Sequence, residues 1–117
     1  MDAKEITGED YAVNYEPNSE TVYFNGELSL GGASDYEPIT TLLNNVIKNN
    51  PETMTINLRE LSFLNSSGIS MLSKFVMSLR KQKGTQLVVL GSNKQPWQGK
   101  SLQNLVRLLP GLKLEVL

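Results

Sequence analysis

The chain contains no cysteine and no histidine. The first absence excludes disulfides, thiolate metal sites and a thiol nucleophile. The second removes histidine triads and histidine general bases, and with them nearly every zinc site. Long hydrophobic runs are missing too: no apolar stretch approaches the roughly 18 residues of a membrane-spanning helix. Nor does one sign of charge prevail. Lys and Arg number 11 and Asp and Glu 12, a net charge of −1. That balance argues against a strongly basic nucleic-acid binder and against a disordered acidic tail. The N-terminus, Met1-Asp2-Ala3-Lys4-Glu5, is charged and has no apolar centre of a signal peptide. A cytoplasmic protein is expected, with no membrane and no nucleic acid among its partners. In that setting the Asn65-Ser66-Ser67 glycosylation sequon carries no meaning.

What is present is a chain of 117 residues, long enough for one domain with an unstapled core. There is no repeat, low-complexity tract or dividing linker. Residues 1–10 read as a polar, frayed segment and 11–117 as a single domain. Tyr11 to Tyr15 forms a short strand, Glu16-Pro17-Asn18-Ser19 a turn, and Thr21 to Leu28 a second strand, together an antiparallel hairpin. Gly31-Gly32-Ala33 breaks that pattern. Ser34 and Glu37 then have capping-box spacing, and Pro38 is expected in the first helical turn. Ile39, Leu42, Leu43, Val46 and Ile47 make one apolar helical stripe, ended by Asn49-Asn50-Pro51.

Met54, Ile56 and Leu58 alternate as a strand, with Leu61, Phe63 and Leu64 continuing its apolar path. After Asn65-Ser66-Ser67-Gly68, a second stripe runs through Ile69, Leu72, Phe75, Val76 and Leu79. Arg80, Lys81 and Lys83 favour its carboxyl end, and Gly84 suits the residue just beyond. Leu87 to Leu90 reads as a central strand covered on both faces or nearly so. Leu102, Leu105, Val106 and Leu109 form a third stripe, stopped by Pro110-Gly111, and Leu112, Leu114 and Val116 alternate in a last strand. The order β-β-α-β-α-β-α-β predicts an α/β fold. Its small, mostly parallel sheet opens with an antiparallel hairpin and is flanked by helices.

Candidate chemistry is sparse. Gly91 and Gly99-Lys100-Ser101 lie between a strand and a helix, but seven residues separate the glycines where a phosphate loop needs four. That stretch is read as a polar loop, with Trp97 covering a helix end or facing a partner. The pairs Glu9–Asp10 and Asp35–Glu37 have solvated or capping roles at hand, and no metal-ligand pattern exists. Met71 and Met77 are read as core or rim filling. Asn65-Ser66-Ser67-Gly68 remains. It joins the carboxyl end of a strand to a helix start, where functional groups gather in parallel sheets. Asn or Ser is an ordinary cap there. A hydroxyl at that point is also placed to receive a phosphoryl group, since free N–H groups and the helix dipole stabilise an anion.

The run Leu58-Arg59-Glu60-Leu61-Ser62-Phe63-Leu64-Asn65-Ser66-Ser67-Gly68-Ile69 resembles the signature of STAS domains, specifically the bacterial anti-sigma factor antagonists. Gly26-Glu27-Leu28 and Pro110-Gly111-Leu112-Lys113-Leu114 resemble two further family segments, and the resemblance extends from about Tyr11 to Leu117. It implies a non-catalytic, partner-switching regulator with no cofactor and no metal. Such a protein binds an anti-sigma factor or kinase-like serine kinase and is reset by a serine phosphatase. By position the phosphorylated residue is Ser66, with Ser67 the second choice. The expected partner surface comprises Asn65, Ser66, Ser67, Gly68 and the exposed side of the following helix with Ser70, Met71 and Lys74. The Gly31-Gly32 loop adjoins it. Two departures stand out. Asn65 replaces the family's Asp, and no segment after Leu117 corresponds to the family's last helix, so the surface that helix covers is open or differently used. The resemblance leaves oligomeric state open. It also leaves two rivals, a docking module that is never phosphorylated and a small-ligand module using the sheet end or Trp97. Catalysis by Ser66 would need a base, and the sequence shows none beside it.

Overall fold

The computed structural model describes residues 4–82 and 84–117. Met1, Asp2, Ala3 and Lys83 lie outside the described residues, as does the expected role of Lys83 at a helix end. The strands are β1 (Glu5–Thr7), β2 (Tyr11–Glu16), β3 (Thr21–Leu28), β4 (Thr53–Leu64), β5 (Gln86–Gly91) and β6 (Lys113–Val116). The helices are α1 (Ala33–Lys48), α2 (Ser66–Ser78) and α3 (Gln98–Leu108), with a 3-10 turn at Leu79–Lys81. The strands form one sheet in sequence order, antiparallel from β1 to β3 and parallel from β3 to β6. From Tyr11 onward the order is the one expected. In front of it stands β1, where fraying was expected. Ile6 pairs with Val13, and the Tyr15 amide donates to the Lys4 carbonyl.

Each helical connection after β3 advances one strand in the same direction, so right-handed crossovers carry α1, α2 and α3 to the same face. Register and burial agree. In the row Tyr15, Val22, Ile56, Val89, Leu114, the three central side chains are buried. The next row, Asn14, Tyr23, Asn57, Leu90, Glu115, points the other way and is nowhere fully buried. This is why Val88 and Leu90 are only half-buried, although β5 reads as a continuous apolar run.

The predicted stripes pack as one core. Ile39, Leu42, Leu43, Val46 and Ile47 of α1 are buried, joined by Leu72, Phe75 and Val76 of α2 and Leu102 and Leu105 of α3. Each such side chain contributes about 1.5–3 kcal/mol by leaving water. Four local expectations are corrected. The cap of α1 is Gly32, with no side-chain bond, while Asp35 accepts from the Gly31 amide at 3.1 Å; Ser34 already lies within the helix and makes no capping box with Glu37. Pro38 is the sixth residue of α1, beyond its first turn. Gly84, at φ 97°, sits in the turn to β5, separated from α2 by the 3-10 segment. Phe63, read as part of the strand's apolar path, is 43% exposed: with the register shifts between β3 and β4, Leu58, Leu61 and Leu64 are the buried side chains.

Candidate functional site

The upper half of β4 sets the site. β4 pairs with β5 only over Thr53 to Asn57, while on its other side it follows β3 to Leu64. Beyond Asn57 its carbonyls face side chains where a strand would otherwise be. Gln98 Nε2 donates to the Leu58 and Leu61 carbonyls at 2.6 and 3.2 Å, and its Oε1 accepts from the Ser92 amide at 2.8 Å. Trp97 Nε1 donates to the Leu61 carbonyl at 2.8 Å, and Gln95 Nε2 to the Arg59 carbonyl at 3.1 Å. Gln98 is 1% exposed and has every polar atom partnered, as a buried amide requires. The loop before α3 is therefore a clamp on β4. Trp97 is held by the chain itself, and the crevice it lines with Leu64, Ile69 and Leu72 holds only about 10 Å³. An aromatic wall for a small ligand has no room there.

Asn65 ends the clamped strand and begins α2. Its backbone is extended (φ −77°, ψ 176°), and its Oδ1 accepts from the Gly68 amide at 3.0 Å, the N-cap bond. The same oxygen accepts from the Tyr36 hydroxyl at 2.6 Å, while Nδ2 donates to the Leu30 carbonyl at 2.8 Å. An aspartate would keep the two accepted bonds and lose the donated one. Asn65, where the signature it resembles has Asp, therefore ties the loop at Leu30 to the start of α2. Tyr36 is fully buried, and burial raises its pKa above 10.0, so at neutral pH it stays a proton donor to Asn65. Gly68 is required by close packing: a Cβ there would strike Leu64 and come within 2.7 Å of the Tyr36 hydroxyl oxygen.

Ser66 is the first residue of α2 and is exposed. Its amide and that of Ser67 lie in the first turn, where no intrahelical carbonyl reaches them. Ser67 is half-buried and turns into a groove of about 690 Å³ between α1 and α2. Ser70, Met71 and Lys74 line the same groove. Gly31 is exposed, and Asn65 and Gly32 are half-buried. Two of the expected surface residues are not on the surface: Gly68 is buried under Tyr36 and Leu64, and Met71 is 7% exposed, its side chain forming the groove's floor with Phe75.

The α1 wall of the groove, Ser34, Glu37, Thr40 and Asn44, was not anticipated. Its signal was a polar stripe at helical spacing beside the apolar one, but only packing shows which stripe faces α2. No group of three acidic side chains that could hold a metal ion occurs among the described residues, and no helix there is long and apolar enough to cross a membrane.

The model of the STAS domain family matches residues 15–105. No curated protein matches the sequence. Several solved structures share the fold. SiaC of Pseudomonas aeruginosa superposes with a TM-score of 0.74 at 10% identity, covering 100% of this chain and 98% of that one. A chain from the complex of the diguanylate cyclase SiaD with its activator SiaC, also from Pseudomonas aeruginosa, gives 0.72 at 9% identity, covering 96% of each. An anti-sigma factor antagonist from Mycobacterium paratuberculosis gives 0.60 at 17% identity, covering 95% of this chain and 81% of that one.

Proposed function

The chain belongs to the STAS domain family, and from that premise we propose that it is a non-catalytic regulator whose docking to a protein partner is switched by phosphorylation of Ser66. The supporting observation is the exposure of Ser66 at the head of α2, beside the α1–α2 groove. A modifying enzyme has access to its hydroxyl, and a partner seated in the groove would cover it.

Magnitudes decide what the phosphate does. It adds about −1.5 to −2 charge. At an exposed helix N-terminus the dipole returns only ~0.3–1 kcal/mol, so the fold stays as it is. Under a partner the same charge must lose its water, at a cost of several kcal/mol unless a cation meets it. A few kcal/mol is a factor of hundreds in affinity. The phosphate therefore acts on binding, with Ser67 as the second acceptor. The partners that fit are an anti-sigma factor or kinase-like serine kinase and a serine phosphatase, at work in the cytoplasm. The structural neighbours are of two kinds, an anti-sigma factor antagonist and the activator of a diguanylate cyclase, and either kind of output fits here.

A second reading is favoured by one observation, Asn65. Its cap and loop bonds are complete without any phosphate, as a permanently docked module would need. Mass spectrometry of the protein from its native cell, with identification of its partner, separates the two. Expected are phosphate on Ser66, partner binding by Ser66→Ala, and a loss of about a hundredfold for Ser66→Glu. Equal binding by both variants overturns the switch and leaves the permanent module.

A further inference from the structure

A second cleft opens beside Leu30, the residue whose carbonyl Asn65 holds, and shares no lining residue with the α1–α2 groove. Phe63 stands in it, 43% exposed, with Tyr11 and Leu30. Its rim carries Glu9, Asp10 and Glu27, no Lys or Arg lines it, and its volume is about 550 Å³. Three carboxylates in one cleft contrast with a net charge of −1 for the whole chain.

The rim is held by backbone. The Glu27 amide donates to the Asp10 carbonyl at 2.9 Å, and the Gly8 amide to the Tyr11 carbonyl at 3.0 Å. Gly26 makes the first approach possible: at φ 91° its Cβ position falls on the Asp10 carbonyl oxygen, so a side chain there is excluded. The backbone that carries Asp10 and Glu27 is therefore held together beside the ring, and their side chains are exposed. No three of the described acidic side chains converge closely enough to hold a metal ion, so the charge asks for cations spread over several ångströms. Anionic lipid and nucleic acid are repelled. An aromatic floor under an acidic rim matches a chain segment that offers a lysine or arginine beside an apolar side chain.

We propose that this cleft is a docking point for a basic, apolar-anchored segment of a partner protein. The proposal rests on the regulatory reading above for the existence of a partner, but its charge logic is independent of the switch. Phe63 and Ser66 are three residues apart, at most about 11 Å between their Cα atoms. A phosphate at Ser66 would carry the same sign as the rim carboxylates, so whatever part of its field reaches the cleft strengthens cation binding there and does not weaken it.

The test is an NMR titration of the full chain with a synthetic peptide alternating lysine and leucine, and with its glutamate–leucine counterpart. Expected are shifts grouped at Gly8–Tyr11, Glu27–Leu30 and Phe63 with the basic peptide alone, weakening as salt rises. Phe63→Ser, and separately Asp10→Lys with Glu27→Lys, each lower affinity at least about tenfold, while Ser66→Glu does not lower it. Shifts scattered over the surface or grouped in the α1–α2 groove overturn the proposal. So does equal binding by the charge-reversed variant or equal binding of the acidic peptide. If Ser66→Glu releases the partner but leaves the peptide bound, both readings stand; if the peptide fails to bind, the switch is untouched.

Discussion

The two halves of β4 are built differently. From Thr53 to Asn57 the strand is bonded to β5, and from Thr55 onward to β3 as well, and Met54 and Ile56 are buried in the core. From Leu58 to Leu64 the β5 side is replaced by three side chains, Gln95, Trp97 and Gln98. The lower half depends on a ladder to which every residue contributes. The upper half depends on a few amides and an indole contributed from the loop and first turn before and within α3. A fold can carry an exposed functional end in this way, because the end is fixed without a further strand to cover it.

Substitutions that strike one half and spare the other sharpen this contrast. Ile56→Ala, in the ladder, leaves a cavity under the helices and lowers the stability of the whole chain by about 2–5 kcal/mol, read from denaturant unfolding. Gln98→Ala strips two carbonyls and one amide of their buried partner, at a cost of about 2–3 kcal/mol. Its signature is local. Hydrogen exchange quickens from Leu58 to Gly68 while Thr53 to Asn57 keeps its protection, and equal loss in both segments would mean that the halves are not separate units. Asn65→Asp removes the bond to Leu30 and sets a carboxylate oxygen against that carbonyl. The helix dipole offsets part of the loss, leaving about 1 kcal/mol. Faster exchange at Leu30 and Gly31, with α2 intact by circular dichroism, is the expected result. Phe63→Ser has the smallest effect, no more than about 1 kcal/mol, since the residue is 43% exposed; a drop in melting temperature as large as that of Ile56→Ala would show that it belongs to the core.

The sequence disclosed the lower half more fully than the upper. Alternation in Met54, Ile56 and Leu58 and the helical stripes of α1 and α2 report burial directly, and the packed core contains them. Tyr36, one turn ahead of Ile39, extends the same stripe and is buried, although the expected stripe begins only at Ile39. Gln98 was not legible. Its bonds go to carbonyls 37 and 40 residues upstream, and a glutamine before a helix looks like any surface residue. The apolar path through Leu61, Phe63 and Leu64 follows no single period, and the register shifts that bury Leu61 and Leu64 while leaving Phe63 outside are not written in it. At the site, the stretch Asn65-Ser66-Ser67-Gly68 stands out by its place between strand and helix, and Ser66 within it only by the resemblance. The facing wall on α1 needed the packing of two helices that no local pattern encodes.

Asn65 joins segments that lie far apart along the chain: its partners Tyr36 and Leu30 are 29 and 35 residues away. Those bonds form only when the β3–α1–β4 unit has closed upon itself, which is a late event for contacts of such separation. The two carboxamide protons of this one side chain, distinct in the native state and merged with bulk signals before it, give a clock for that closure. In a refolding experiment they would mark the moment at which the hydroxyl of Ser66 first acquires its final surroundings.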